Sequence, residues 1–175
     1  MCAKGTGILA ADESTGTMDK RLKSVNVECT EKNRLAFRQT LFSSEAMKNF
    51  IGGVILFDET IRQKTSLNMT IPELIQKNDA VPGIKVDKGA KLLAGSSGET
   101  ITEGLDGLRE RLKEYYELGA RFTKWRAVYK IGEKHPSSQS IKSNAHALAR
   151  YAAMVQEAKM VPIVEPEVLM DGSHN

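Results

Sequence analysis

Five short apolar runs, separated by segments of helical spacing, set the strongest constraint on how this chain folds. They are Gly7-Ile8-Leu9-Ala10-Ala11, Gly53-Val54-Ile55-Leu56-Phe57, Gly83-Ile84-Lys85-Val86-Asp87, Arg121-Phe122-Thr123-Lys124-Trp125 and Val161-Pro162-Ile163-Val164-Glu165. The first two are continuously apolar, as parallel strands covered on both faces are. Between the runs, Leu105, Leu108, Leu112 and Tyr115 fall on one helical face, with Gly119 placed as a C-cap. Ile141, Ala145, Leu148, Ala152 and Val155 do the same, with Ser137 placed to cap the start. A third helix is predicted to begin at Thr30 and to carry Phe37 and Leu41 inward. Strands alternating with helices imply right-handed crossovers and a parallel sheet. Five units in 175 residues give about 35 residues each, close to the ~31 of a typical barrel unit. A doubly wound open sheet shares this alternation, so the pattern by itself leaves two architectures open.

The charges discriminate between them. Each run acquires charged or polar residues at or just past its carboxyl end: Asp12-Glu13-Ser14, Asp58-Glu59-Thr60, Asp87-Lys88, Lys124 with Arg126, and Glu165 with Glu167. Residues two apart on a strand share a face, so Lys85 and Asp87, Lys124 and Arg126, and Glu165 and Glu167 each point one way. In a barrel, inward charges at the carboxyl ends of strands converge on the mouth, where barrel enzymes keep their active sites. Asp12, Lys85, Asp87, Lys124, Arg126, Glu165 and Glu167 are therefore expected to meet there, three positive against four negative. Such a group satisfies its own charges and tunes each member's ionisation. The competing reading is a structural salt-bridge network or a solvated face. Ser14-Thr15-Gly16-Thr17 brings hydroxyls and free backbone N–H groups into a helix start, which suits an anion, with Lys20 and Arg21 one turn on. The bland alternative there is a capping segment beside a solvated basic pair.

Composition narrows the function classes. Net charge is +3, from 25 basic and 22 acidic residues without a like-charge block, and aromatics make up only 6%. Nucleic acid is not an expected partner on that balance. No apolar run approaches the ~20 residues that span a bilayer, so no membrane partner is expected either. Met1-Cys2-Ala3-Lys4-Gly5 lacks the apolar stretch of a secretory signal, and Cys2 and Cys29 are too few for a disulfide framework. Cytoplasmic location is the expectation. His135, His146 and His174 show no metal-ligand spacing, and no Gly-x-Gly-x-x-Gly follows a strand, so neither a metal nor a dinucleotide cofactor is expected. Gly95-Ser96-Ser97-Gly98 lacks the lysine of a phosphate-binding Walker motif and reads as a turn.

Read in order, GILAADESTGT, GGVILFDET, GIKVDKG, FTKWRAV and VPIVEPE resemble the successive barrel strands of class I fructose-1,6-bisphosphate aldolases. LAGSSGETITEGLDGL and YKIGEKHPS resemble the family's connecting text, so the likeness runs from about Gly5 to Gly172. It implies one partial (β/α)8 (TIM) barrel domain over residues 1–175, with about five of eight strand–helix units. The implied activity is Schiff-base cleavage of fructose 1,6-bisphosphate to dihydroxyacetone phosphate and glyceraldehyde 3-phosphate, in glycolysis and gluconeogenesis. No cofactor is implied, because the protonated imine is the electron sink.

Carried over by position, the resemblance makes Asp12 the carboxylate that takes the C4-hydroxyl proton and Glu165 the acid/base of imine formation and dehydration. Lys124 orients substrate and assists proton transfer, and Glu167 holds the lysines electrostatically. Ser14, Thr17 and Lys85 match the site for the phosphate remote from the imine; Thr17 stands where a serine is common. Arg21, Arg34 and Arg126 match substrate contacts. The family's imine-forming lysine lies on the sixth strand, in a block like YLEGTLLKPN, and this sequence contains no such block. The resemblance therefore implies a partial sequence of a longer enzyme, homotetrameric when whole and inactive as this stretch alone. A molecule of five parallel strands is expected to expose apolar edges and to self-associate. Two other readings stay open: a transaldolase-like enzyme whose imine forms on Lys124, and a non-catalytic scaffold for actin or other cytoskeletal partners.

Overall fold

The computed structural model describes Met1 and residues 3–174. Cys2, one of the two thiols counted above, and Asn175 lie outside the described residues. The elements run β1 (Gly7–Ala11), α1 (Thr15–Lys23), α2 (Glu31–Phe42), α3 (Glu45–Phe50), β2 (Ile51–Leu56), α4 (Asp58–Ile61), α5 (Ile71–Lys77) and β3 (Val81–Lys85). They continue with β4 (Ala90–Leu92), β5 (Thr100–Thr102), α6 (Leu108–Glu117), β6 (Phe122–Tyr129), α7 (Ser138–Glu157) and β7 (Val161–Val168). A strand forms at each of the five predicted apolar runs, but β3 ends at Lys85, so Val86 and Asp87 lie beyond it and Lys85 and Asp87 do not share a strand face as expected. The chain divides into two compact units, Met1–Lys85 with Tyr115–Phe122, and Val86–Glu114 with Thr123 onward.

In the first unit β1, β2 and β3 pair in parallel, with Ala11 opposite Leu56 and Leu56 opposite Ile84. Met18, Phe42, Val54, Leu56, Ile71, Ile75 and Ile84 are sealed from water and form the core. The Arg121 N–H donates to the Pro82 carbonyl at 2.9 Å, which sets the start of β6 beside β3. The Phe122 ring then lies where Gly83 has no side chain; a Cβ there would meet Cζ at 2.3 Å. Helix starts follow their caps. The Ser14 and Thr30 side chains accept the N–H groups of Thr17 and Asn33. Thr70 and Glu73 form a reciprocal capping box at the start of α5, with Pro72 in its first turn.

The predicted inner face of α2 needs correction. Thr30 caps the helix as expected, but Phe37 and Leu41 are each 37% exposed, while Arg38 and Phe42 point into the core. Reading apolar residues as inward failed because Arg38 is buried with its charge paired and its two terminal nitrogens hydrogen-bonded to neighbours.

In the second unit β6 neighbours β7, and β4 and β5 form an antiparallel pair with Leu92 opposite Thr100. The Gly95–Gly98 turn joins them, and both glycines have positive φ. This hairpin was not anticipated, its strands being too short to show alternation. Ser137 caps α7 as expected, accepting the Ser140 N–H. The buried face is rotated from the predicted one: Ser140, Asn144, Ala147, Leu148, Tyr151 and Val155 are inside, and Ile141 is exposed. Asn144 and Tyr151 are tolerated inside because their side chains are hydrogen-bonded. The Asn144 side chain accepts from Thr102 N and donates to Thr100 O and Ser140 O. Tyr151 shares a 2.6 Å hydrogen bond with Thr123, donates to the Ile163 carbonyl and packs on Trp125 with ring centroids 5.3 Å apart. Ile141, Ala145 and Ala152 instead line an open apolar groove with Val164 and Val168. Among the described residues no helix is long and apolar enough to cross a membrane.

Candidate active site

In the first unit, the row Ala11–Leu56–Ile84 closes the sheet at its carboxyl edge, and Asp12, Phe57 and Lys85 come next on their chains. Asp12 is nearly buried, and the Lys85 ammonium lies 5.2 Å from the Phe57 ring centre, a cation–π distance. Ser14 and Thr17 stand together at the start of α1 with their hydroxyls 3.2 Å apart. Arg21, one turn further on, is paired with Glu13. Arg34 reaches Glu59 through two parallel bonds, Nε to Oε1 at 2.9 Å and Nη2 to Oε2 at 2.5 Å. That fork–fork geometry, with the neighbouring Cys29 thiol, raises the Arg34 pKa, and the Arg34 hydrogen bonds hold the Glu59 carboxyl below the usual range. Asp12, Ser14, Thr17 and Lys85 thus share one edge, while Arg21 and Arg34 are engaged with acidic partners beside it.

The second unit carries the other half of the predicted set. Lys124 Nζ lies 3.4 Å from Glu165 Oε2, Arg126 Nε lies 3.9 Å from Glu165 Oε1, and Arg126 donates to Glu167. The alternation anticipated on two strands is what makes this possible: Lys124 and Arg126 on β6 face Glu165 and Glu167 on β7. The hydrogen bond with Arg126 lowers the Glu167 pKa and raises that of Arg126. Asp87 joins them from the segment after β3, its carboxylate accepting from the Arg126 backbone N–H at 3.5 Å and from Gly89 N–H at 3.0 Å. Two features brace this edge from behind. Thr102 donates to the Arg126 carbonyl at 2.7 Å, and the Val86 N–H donates to the Lys124 carbonyl at 3.1 Å.

Two groups escaped the sequence reading. Arg38 was overlooked because it looks like surface charge on a helix; its spacing of four from both Arg34 and Phe42 was the available signal. The second is a knot around Glu99. Its carboxylate accepts from Ser137 N–H at 2.7 Å, Ser137 Oγ at 2.5 Å and Ser96 Oγ at 2.7 Å, with His135 Nδ1 at 3.6 Å. Those donors, the Ser137 hydroxyl foremost, push its pKa down to about 2. Nothing in the spacing of Glu99 and Ser137 announced the contact. Among the described residues, no group of three or more His, Cys, Asp or Glu side chains is placed to hold a metal ion.

The family model for class I fructose-bisphosphate aldolase matches residues 1–175. A probable class 1 fructose-bisphosphate aldolase of Xanthomonas axonopodis pv. citri is 58% identical over 175 residues, covering all of this chain and 52% of that protein. The cytosolic fructose-bisphosphate aldolase 4 of Arabidopsis thaliana is 56% identical over 171 residues, 98% of this chain and 44% of that protein. Among solved structures, the Plasmodium falciparum fructose-bisphosphate aldolase, crystallised with TRAP and a small-molecule inhibitor, matches with a TM-score of 0.96 and 47% identity. That match covers 98% of this chain and 50% of the other. The chain thus spans about half the length of the curated relatives it matches. Its α/β plan, five strands of which the first four are followed by helices, is that of part of a TIM barrel, which decides between the two architectures left open by periodicity. An unbroken family match from the first residue to the last, joined to that likeness of fold, makes this chain a member of the class I fructose-bisphosphate aldolase family.

Proposed function

We propose that the protein is an aldolase that cleaves fructose 1,6-bisphosphate into dihydroxyacetone phosphate and glyceraldehyde 3-phosphate through a lysine imine. The observation that carries this reading is the pairing of Lys124 with Glu165 at 3.4 Å, alongside Arg126 and Glu167. An acid and a cation held side by side are what imine chemistry needs, since carbinolamine dehydration requires a proton donor and its reverse an acceptor. In the bond-breaking step, Asp12 takes the C4-hydroxyl proton, the C3–C4 electron pair moves into the iminium, and the aldehyde leaves. Glu165 serves imine formation and dehydration, Lys124 orients the substrate and assists proton transfer, and Glu167 holds the cations in place. Ser14, Thr17 and Lys85 take the remote phosphate, which the capped start of α1 and its two hydroxyls suit. Arg21, Arg34 and Arg126 are the substrate contacts, each exchanging part of its carboxylate pairing for the sugar phosphate. Residues 1–175 belong to a single barrel domain, the enzyme is cytoplasmic and homotetrameric, and no metal or organic cofactor takes part.

The test is to incubate the complete gene product with fructose 1,6-bisphosphate, follow triose phosphate release, reduce with borohydride and map the modified lysine. Release with trapping at a lysine other than Lys124, abolished in cleavage but not in trapping by Asp12→Asn, is the expected result. Trapping at Lys124 would make the enzyme transaldolase-like. Absence of both release and trapping would leave the scaffold reading, for which binding to actin filaments is the direct assay.

A further inference from the structure

Arg38 is fully buried, yet none of the roles above uses it. It stands on α2 and reaches the segment after β1 and the short helix α4 after β2. Nη2 donates to the Glu13 carbonyl at 2.5 Å, with the Glu13 carboxylate 3.7 Å away, and Nη1 donates to Thr60 Oγ1 at 2.8 Å. Its guanidinium also lies 5.8 Å from the centre of the Phe57 ring. Thr60, like Arg38, is sealed from water. The fit is incomplete, because Arg38 Nε finds no hydrogen-bond partner among the described residues. A buried guanidinium with one donor unmet carries a desolvation cost that its pairing only partly offsets. What Arg38 provides that an apolar residue cannot is a fixed direction: its planar fork ties one carbonyl and one hydroxyl at set angles.

The carbonyl it ties is adjacent to Asp12. Asp12 and Glu13 lie between the end of β1 and the cap of α1, outside both strand and helix. A base must point at one hydroxyl, and a misplacement of 1 Å is enough to cost about a hundredfold. Arg38 and Asp12 also feel one another electrostatically. We propose that Arg38 is a positioning residue for carbon–carbon cleavage: by fastening the Glu13 carbonyl to Thr60 it sets the direction of the Asp12 carboxylate. This rests on the reading of Asp12 as the base for the C4 hydroxyl.

The experiment measures two partial reactions in the complete gene product. Borohydride trapping of the ketose imine reports the steps before cleavage, and triose phosphate release reports cleavage itself. Arg38→Met is expected to slow release by about a hundredfold, with trapping and KM within about threefold of wild type. Arg38→Lys restores the charge without the fork and is expected to recover part of the rate. Thr60→Val removes one anchor without leaving a charge unpaired and is expected to slow release several-fold with trapping unchanged. It decides the matter if Arg38→Met does not fold. Loss of trapping in step with release, or release at the wild-type rate in Thr60→Val and in every folded Arg38 variant, would overturn the proposal. A wild-type protein that neither traps nor cleaves would instead overturn the proposed function on which this rests.

Discussion

The charged edges of the two units solve the same problem differently. In the first, carboxylates at strand ends are met by arginines from the helices behind them: Glu13 by Arg21 and Arg38, Glu59 by Arg34. Arg38 and Arg34 are withdrawn from water, at 1% and 11% side-chain exposure, and each makes at least two directed bonds. In the second, charges on neighbouring strands meet each other, Lys124 and Arg126 against Glu165 and Glu167, and Arg126 remains 42% exposed. The pairs made by Arg38 and Arg34 are desolvated and tied to the scaffold, so they govern stability as well as placement, whereas Arg21 is 56% exposed beside Glu13. The Arg126–Glu167 pair is wetter and screened, so it is the more easily exchanged for a ligand, while Lys124 is only 12% exposed beside Glu165.

The sharpest way to break this contrast is Arg38→Met, which takes away one of the two arginines on Glu13 and the donors to the Glu13 carbonyl and Thr60 hydroxyl, and should cost about 3–5 kcal/mol in urea denaturation. A loss below about 1 kcal/mol would put the two edges on the same footing. Next comes the Arg34–Glu59 pair, for which a double-mutant cycle with Arg34→Met and Glu59→Gln should give about 1–2 kcal/mol of coupling. Because Glu59 is depressed in the folded state, that coupling is fully present above ~4.3, the unfolded glutamate value. It is lost as pH falls through the lower folded value. Glu99 tests whether a carboxylate in the second unit can be as firmly held without an arginine. Glu99→Gln should lower Tm at pH 7, and the difference from wild type should close between about pH 4 and the folded value of about 2. A constant Tm difference across that range would mean that shape, not charge, matters there. The smallest effect is expected for Arg126 and Glu167, whose coupling should be about 0.2–1 kcal/mol at low salt and should vanish near 1 M salt.

What the sequence made legible follows the same division. Lys124, Arg126, Glu165 and Glu167 were found because a period of two along one strand states which side chains share a face, and the neighbouring strand repeats the pattern. The placing of Asp12, Ser14 and Thr17 beside the end of β1 was legible because a continuously apolar strand stops abruptly at a polar helix cap. Arg38 was missed because helical period identifies a face only through apolar residues, and here a guanidinium fills a core position while Phe37 and Leu41 face outward. The inner face of α7 was misplaced for the same reason, since Asn144 and Tyr151 are inside with their polar atoms bonded. The Glu99 knot and the β4–β5 hairpin join residues whose spacing carries no period, so only tertiary structure reveals them.

The seat of the Phe122 ring over Gly83 has an evolutionary corollary. The two positions share one small volume, so neither can change size alone: an alanine at 83 would demand a slimmer residue at 122. Substitutions at these sites should therefore travel as compensating pairs among homologous chains, and an engineer enlarging one without trimming the other should obtain insoluble protein.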